Sequence, residues 1–154
     1  IINGVGLSNG LWRDLSGKRF YYIDTLTKEI SLFEYNTENG ALSNRKTFYT
    51  FATNDGSPDG MTIDINGNLW VALWGGGKVK CINSQAQVIG EIKLPVSQPT
   101  SVAFGGEKLD KLFITSARFQ LSSEQQSKEP LAGSLFVADV GVQGVNEPIF
   151  GIGR

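Results

Sequence analysis

The sequence predicts an all-β fold of four-stranded antiparallel blades, about three in succession: a partial β-propeller forming one domain over residues 1–154. Three observations lead there. Strand-like runs recur at a steady interval: Asp59-Gly60-Met61 follows Asn9-Gly10-Leu11 after 50 residues, and Leu69-Trp70-Val71-Ala72 follows Phe20-Tyr21-Tyr22-Ile23 after 49. Nineteen glycines, many beside Asn or Asp, supply frequent tight turns. Nowhere is the 3.6-residue apolar period of an amphipathic helix sustained.

The first round runs from Ser8-Asn9-Gly10-Leu11 through Phe20 to Asp24 and Ile30 to Tyr35. It turns at Asn39-Gly40 and ends with Arg45 to Phe51. The second opens at Ser57-Pro58-Asp59-Gly60-Met61. Pro58 fixes its own φ and extends Ser57, Gly60 permits a close turn, and Met61 to Asp64 alternates apolar and polar like a half-buried strand. Alone, those five residues also read as an ordinary surface turn; the recurrence of the slot distinguishes them. Leu69 to Trp74, Val79 to Ile82 and Val88 to Leu94 complete that round. A third opens at Thr100, 41 residues after Asp59, and continues with Leu112 to Thr115 and Ser134 to Val137. The polar insertion Ser122 to Glu129 reads as an exposed loop or a short helix. The end of the glycine-rich tail after Val140 is expected to be loosely held. Closed propellers need four to eight blades. Three repeats are therefore expected to belong to a larger ring, with open blade edges through which the isolated chain self-associates.

Composition excludes several functions. Apolar residues make up 40% and charged ones 19%, a globular balance. A net charge of −1 with scattered Lys and Arg gives no footprint for nucleic acid or an anionic membrane. The apolar run Leu69–Trp74 is too short to span a bilayer. The chain opens on Ile1 with no secretory signal, so the natural amino terminus is expected to lie upstream. Cys81 is alone and reads as a small core residue, fitting a reducing, cytoplasmic setting. With no histidine, Ser-His-Asp and Cys-His catalysis and the common zinc sites are absent. Chemistry would fall to carboxylates, amides and hydroxyls, with any bound ion a hard cation on oxygen ligands. Trp70 and Trp74 fit packing between blades, and Asp64 with Asn66-Gly67-Asn68 fits hairpin chemistry, so replacing Asp64 is expected to be nearly silent.

Several motifs in order resemble one family: Asn9-Gly10-Leu11, Lys18 to Thr25, Gly40 to Arg45, Pro58 to Met61, Gly67 to Ala72, Gly75-Gly76-Gly77, Thr100 to Gly106 and Thr115 to Arg118. This is the senescence marker protein-30/gluconolactonase family. The match spans nearly the whole chain and corresponds to the carboxy-terminal half of a six-bladed propeller. The resemblance implies a divalent-metal-dependent hydrolase of sugar-acid lactones. The cation implied is calcium first, with zinc, magnesium or manganese as alternatives. Carried over residue by residue, Asn9 and Asp59 become metal ligands, and Asp59 also becomes the group that activates water. Both occupy the same slot of successive repeats, and such slots converge on a propeller's central channel.

Departures from the family pattern shape the expectations. The family's third ligand, a Glu, and its substrate-binding Arg and Asn belong to a first half with no counterpart here. The family often places one residue between Leu and Trp, whereas Leu11 directly precedes Trp12, which is expected to turn the following side chains to the other face. The alternative function is a non-catalytic calcium-binding or scaffold fragment.

Overall fold

A computed structural model describes residues 2–146, and the expectation for the end of the tail lies outside them. The first blade comprises β1 (Ser8–Arg13), β2 (Arg19–Asp24), β3 (Glu29–Tyr35) and β4 (Leu42–Thr50), hydrogen-bonded in that order. The second comprises β5 (Ser57–Ile63), β6 (Leu69–Trp74), β7 (Lys78–Ile82) and β8 (Val88–Lys93), again in order. The third contains β9 (Pro99–Gly105), β10 (Lys111–Ser116) and β11 (Leu135–Asp139), three strands where four were expected. Every pairing within the three sheets is antiparallel. The partial propeller predicted from the repeats is thus the observed architecture.

Burial explains which runs read as continuous and which alternate. β6 lies in the middle blade and is covered on both faces, so Leu69 to Leu73 are all buried. Val71 and Leu73 join Met61 and Ile63 against Tyr21, Ile23, Ile30 and Leu32 of the first blade. Trp70 and Ala72 point the other way, into a second core with Val102, Leu112 and Ile114 of the third. Trp70 meets Phe104 edge to face with centroids 6.2 Å apart, which bears out its reading as inter-blade packing. β11 has one face covered and alternates: Leu135 and Val137 are 63% and 60% exposed, while Phe136 packs inward. At the opposite end, Leu11 is 54% exposed on the outer face of the first blade. The outer face of the third blade is therefore uncovered, whereas on the first blade Leu11 is exposed and Tyr22 and Phe33 are buried.

The polar insertion resolves into a six-residue helix, α1 (Ser123–Lys128). Ser122 Oγ accepts from the Gln125 N–H (3.2 Å) and Gln125 Oε1 from the Ser122 N–H (2.9 Å), a reciprocal cap that supports so short a helix. Among the described residues no helix is long and apolar enough to cross a membrane.

Asp64 is a turn residue as expected, yet it is fully buried. Its carboxylate accepts from the backbone N–H groups of Asn66 and Asn68, from Asn68 Nδ2 and from Trp70 Nε1, all at 2.9–3.0 Å. Four donors converging on one buried carboxylate make its replacement costly to stability. Asp64→Asn sets an NH2 group against those donors and should lower the unfolding free energy by about 1–3 kcal/mol in urea denaturation. An unchanged midpoint would contradict this.

Candidate functional site

The inner strands of the three blades each carry an irregularity at the same place. Ser8 pairs with Asp24 and Leu11 with Tyr22, so Asn9 and Gly10 together oppose Ile23. Pro58 pairs with Leu73 and Met61 with Val71, so Asp59 and Gly60 together oppose Ala72. Pro99 pairs with Ser116 and Ser101 with Thr115, leaving Thr100 as the extra residue. A bulge re-aims the side chain it carries and interrupts pairing locally. The slot is a β-bulge in all three blades. Beyond it Leu11 and Met61 resume equivalent pairings, so the missing residue before Trp12 does not put β1 out of phase with β5.

Glycine brings adjacent slots into contact. A Cβ on Gly10 would lie 2.7 Å from Met61 Cβ and 2.8 Å from the Asp59 carbonyl oxygen. One on Gly60 would lie 2.7 Å from Ser101 Cα. Real Cβ atoms do not approach so closely, so each inner strand reaches the next only because the residue after the slot lacks a side chain. Asn9 and Asp59 are thereby placed side by side.

Each inner strand is also held at its entry by a carboxylate from elsewhere in its blade. Asp24 accepts from the N–H groups of Gly6 and Leu7 ahead of β1, at 3.1 Å each. Burial pushes its pKa up, but those backbone donors and Leu26 outweigh it and hold the carboxyl below its usual range. Asp55, ahead of β5, accepts from the Ala52 N–H (3.1 Å) and pairs with Lys80 (2.6 Å) and Lys78 (3.1 Å). Its burial is likewise outweighed by the two ammonium groups, leaving the pKa lowered. Glu129 Oε2 accepts from the Ser97 N–H (2.7 Å) and Oγ (2.9 Å) ahead of β9.

Asp59 behaves differently. Its carboxylate has one weak donor among the described residues, the NH2 of Asn9. Desolvation raises its pKa to about 6, and the adjacent Asn9 amide offsets this only in part. Asn9 Nδ2 donates to Thr25 Oγ1 (3.1 Å), and Thr25 Oγ1 donates to the Pro58 carbonyl (2.7 Å). A half-buried carboxylate with unused lone pairs beside an amide suits a hard cation, which both residues could help to hold. Among the described residues no three His, Cys, Asp or Glu side chains cluster to complete such a site.

The structure thus brings the two sequence-predicted ligands together. It does not add the third slot: Thr100 Oγ1 is engaged with Thr115 Oγ1 at 2.6 Å. Cys81 is buried, and desolvation with the nearby Asp64 charge pushes its thiol up to about 12, which leaves it inert. A cavity of about 710 Å³ lined by Leu11, Leu15, Phe20, Thr37 and Val145 does not include Asn9 or Asp59. Thr25, Asp24, Asp55 and Glu129 escaped the sequence reading. Thr25, Asp24 and Asp55 sit close to a strand end, and Glu129 caps the end of α1, which was their only local signal.

Residues 1–118 match the model of the SMP-30/gluconolactonase/LRE-like region. The chain belongs to that family. It is 43% identical to a regucalcin of Danio rerio over 143 residues, 92% of this chain and 48% of the relative. The structure of regucalcin, a calcium-binding protein of Agrobacterium tumefaciens, aligns with a TM-score of 0.91 at 26% identity, covering 96% of this chain and 50% of that one. A gluconolactonase of Xanthomonas campestris aligns at 0.62 with 31% identity, covering 72% and 35%. The chain spans about half the length of the curated relatives it matches. Family membership accounts for the three blades and for the paired slots.

With no divalent cation added, Asp59 should titrate near pH 6 by carboxylate 13C NMR, where an exposed Asp titrates near 4. Because the folded pKa exceeds the unfolded one, the folded state binds more protons between these values. Stability from this group is present below about pH 4 and is lost as pH rises through 6. A midpoint near 4 would contradict the desolvated geometry.

Proposed function

We propose that this chain supplies Asn9 and Asp59 as ligands of a divalent-cation-dependent hydrolase acting on sugar-acid lactones, with Asp59 also accepting the proton of the attacking water. The observation that carries the reading is the pairing of an amide with a desolvated carboxylate at adjacent bulges. Family membership, the gluconolactonase of Xanthomonas and the calcium-binding regucalcin support the reaction class and the ion. A bound cation would polarise the lactone carbonyl and lower the pKa of a bound water. The protein's share is positional. In this reading the bulges set Asn9 beside Asp59, the anchored strand entries hold them there, and partial burial keeps the Asp59 carboxylate weakly hydrated. A carboxylate with pKa about 6 is suited to taking a proton near neutral pH. The outer faces of the first and third blades are where further blades, or a second copy, would close the channel. The second reading, calcium binding without turnover, is favoured by the span of half a relative and by two protein ligands where calcium takes six to eight oxygens.

Two variants separate these readings, with D-gluconolactone hydrolysis followed by pH-stat and Ca2+ binding by calorimetry. Asp59→Asn keeps the side chain's size and should reduce hydrolysis by about 10²-fold or more while weakening Ca2+ binding. Asn9→Ala should weaken Ca2+ binding by about tenfold, with activity recovered at excess ion. Ca2+ binding without hydrolysis by the unmodified chain favours the second reading; full activity in Asp59→Asn overturns the first.

A further inference from the structure

We infer that Phe119 is a specificity-determining residue: at the slot end of the blades its ring, propped on Trp74, gives the carbon face of a lactone ring an apolar wall to lie on. The inference rests on the lactone reading above.

Topology fixes where Phe119 stands. Asn9, Asp59 and Thr100 lie near the starts of β1, β5 and β9. The antiparallel neighbours β2, β6 and β10 end at that same level, so the connections 25–28, 75–77 and 117–134 all crown the slot end. The first two are tight turns. The third is far longer and carries α1, and a long connection in a compact fold is where function concentrates. Ser57 pairs with Trp74 and comes two residues ahead of Asp59. Phe119 leans from the third blade across to Trp74, with ring centroids 6.4 Å apart. It therefore stands on the middle-blade side of the third blade, near the Asp59 slot and away from the outer faces where further blades would dock.

The ring of Phe119 is 63% exposed, yet its backbone is pinned. Gln98, only 9% exposed, donates from Nε2 to the Phe119 carbonyl (3.0 Å), and the Ala117 N–H donates to the Gln98 carbonyl (2.9 Å). Gln120 adopts a left-handed φ of 58°, which a residue with a side chain takes at a cost. Leu121 is then buried against Val96 and Ala132. A single exposed phenylalanine is ordinary. This one is tied down on both sides, at a strained turn, with part of its ring against a tryptophan and the rest in water. A side chain so held loses little further freedom on meeting a ligand.

The substrate class fits that surface. A sugar-acid lactone carries C–H groups on its ring faces and hydroxyls around its edge. The electron-rich face of an aromatic ring meets the first and leaves the second to polar groups and water. The wall touches no reacting atom, so it holds substrate and transition state alike. Its loss should raise KM and leave kcat unchanged.

The experiment measures kcat and KM of the 154-residue chain for D-gluconolactone by pH-stat at saturating Ca2+, with the Ca2+ affinity and melting midpoint of each variant. Phe119→Ala should raise KM by about fivefold with kcat, Ca2+ affinity and melting midpoint unchanged. Phe119→Tyr keeps the ring and should stay within about twofold of the parent, whereas Phe119→Leu keeps apolar bulk alone and should match Phe119→Ala. An unchanged KM in Phe119→Ala, a parental KM in Phe119→Leu, a KM in Phe119→Tyr as high as in Phe119→Ala, or a loss confined to kcat overturns the inference while the lactone reading stands. A parent that hydrolyses no lactone overturns the lactone reading and the inference with it.

Discussion

Close backbone approach of the inner strands is the constraint on which the rest of this structure depends. β1 meets β5 at Gly10, and β5 meets β9 at Gly60, at distances that leave no room for a Cβ. Both glycines follow directly after a slot residue inside a bulge, so one short motif does two jobs. The bulge re-aims Asn9 or Asp59, and the glycine lets the neighbouring strand come close enough to place the two side chains together. The inter-blade cores then fill on either side of β6 with residues from all three sheets. Loss of the close approach would open the cores and separate the slot residues at once.

Much of this was legible in the sequence, for a physical reason. Strand periodicity is local, so Leu135 and Val137 against Phe136 and Ala138, or the unbroken run Leu69 to Leu73, report burial on one face or two. The 49- and 50-residue recurrences report blades, and Asn9-Gly10 with Asp59-Gly60 report equivalent positions. What stayed hidden acts between segments distant in the chain. Glu129 anchors Ser97 from 32 residues away, and Thr25 reaches Pro58 across 33. Nothing in the local pattern of either residue marks such a partner. Asp64 was legible as a turn but not as a buried acceptor, because its fourth donor, the Trp70 indole, comes from the next strand. The third blade reads as three strands because the sequence after Asp139 supplies no further paired strand among the described residues.

The buried acids of this chain divide by how their charge is met. Asp24 receives backbone N–H donors, Asp55 receives two lysines, and both are held below the usual carboxylate range. Half-buried Asp59 receives neither, and the Asn9 amide offsets its desolvation only in part. A carboxylate left in that state inside an otherwise satisfied structure is where a cation or a proton gains most by binding.

The account stands or falls on whether Asn9 and Asp59 share one ion. The most direct measurement is long-wavelength anomalous diffraction from crystals of the chain grown with Ca2+. The account predicts an anomalous peak within about 2.3–2.6 Å of Asn9 Oδ1 and of an Asp59 carboxylate oxygen together. A peak held by Asn9 Nδ2, by Asp59 without Asn9, or by neither residue would contradict it.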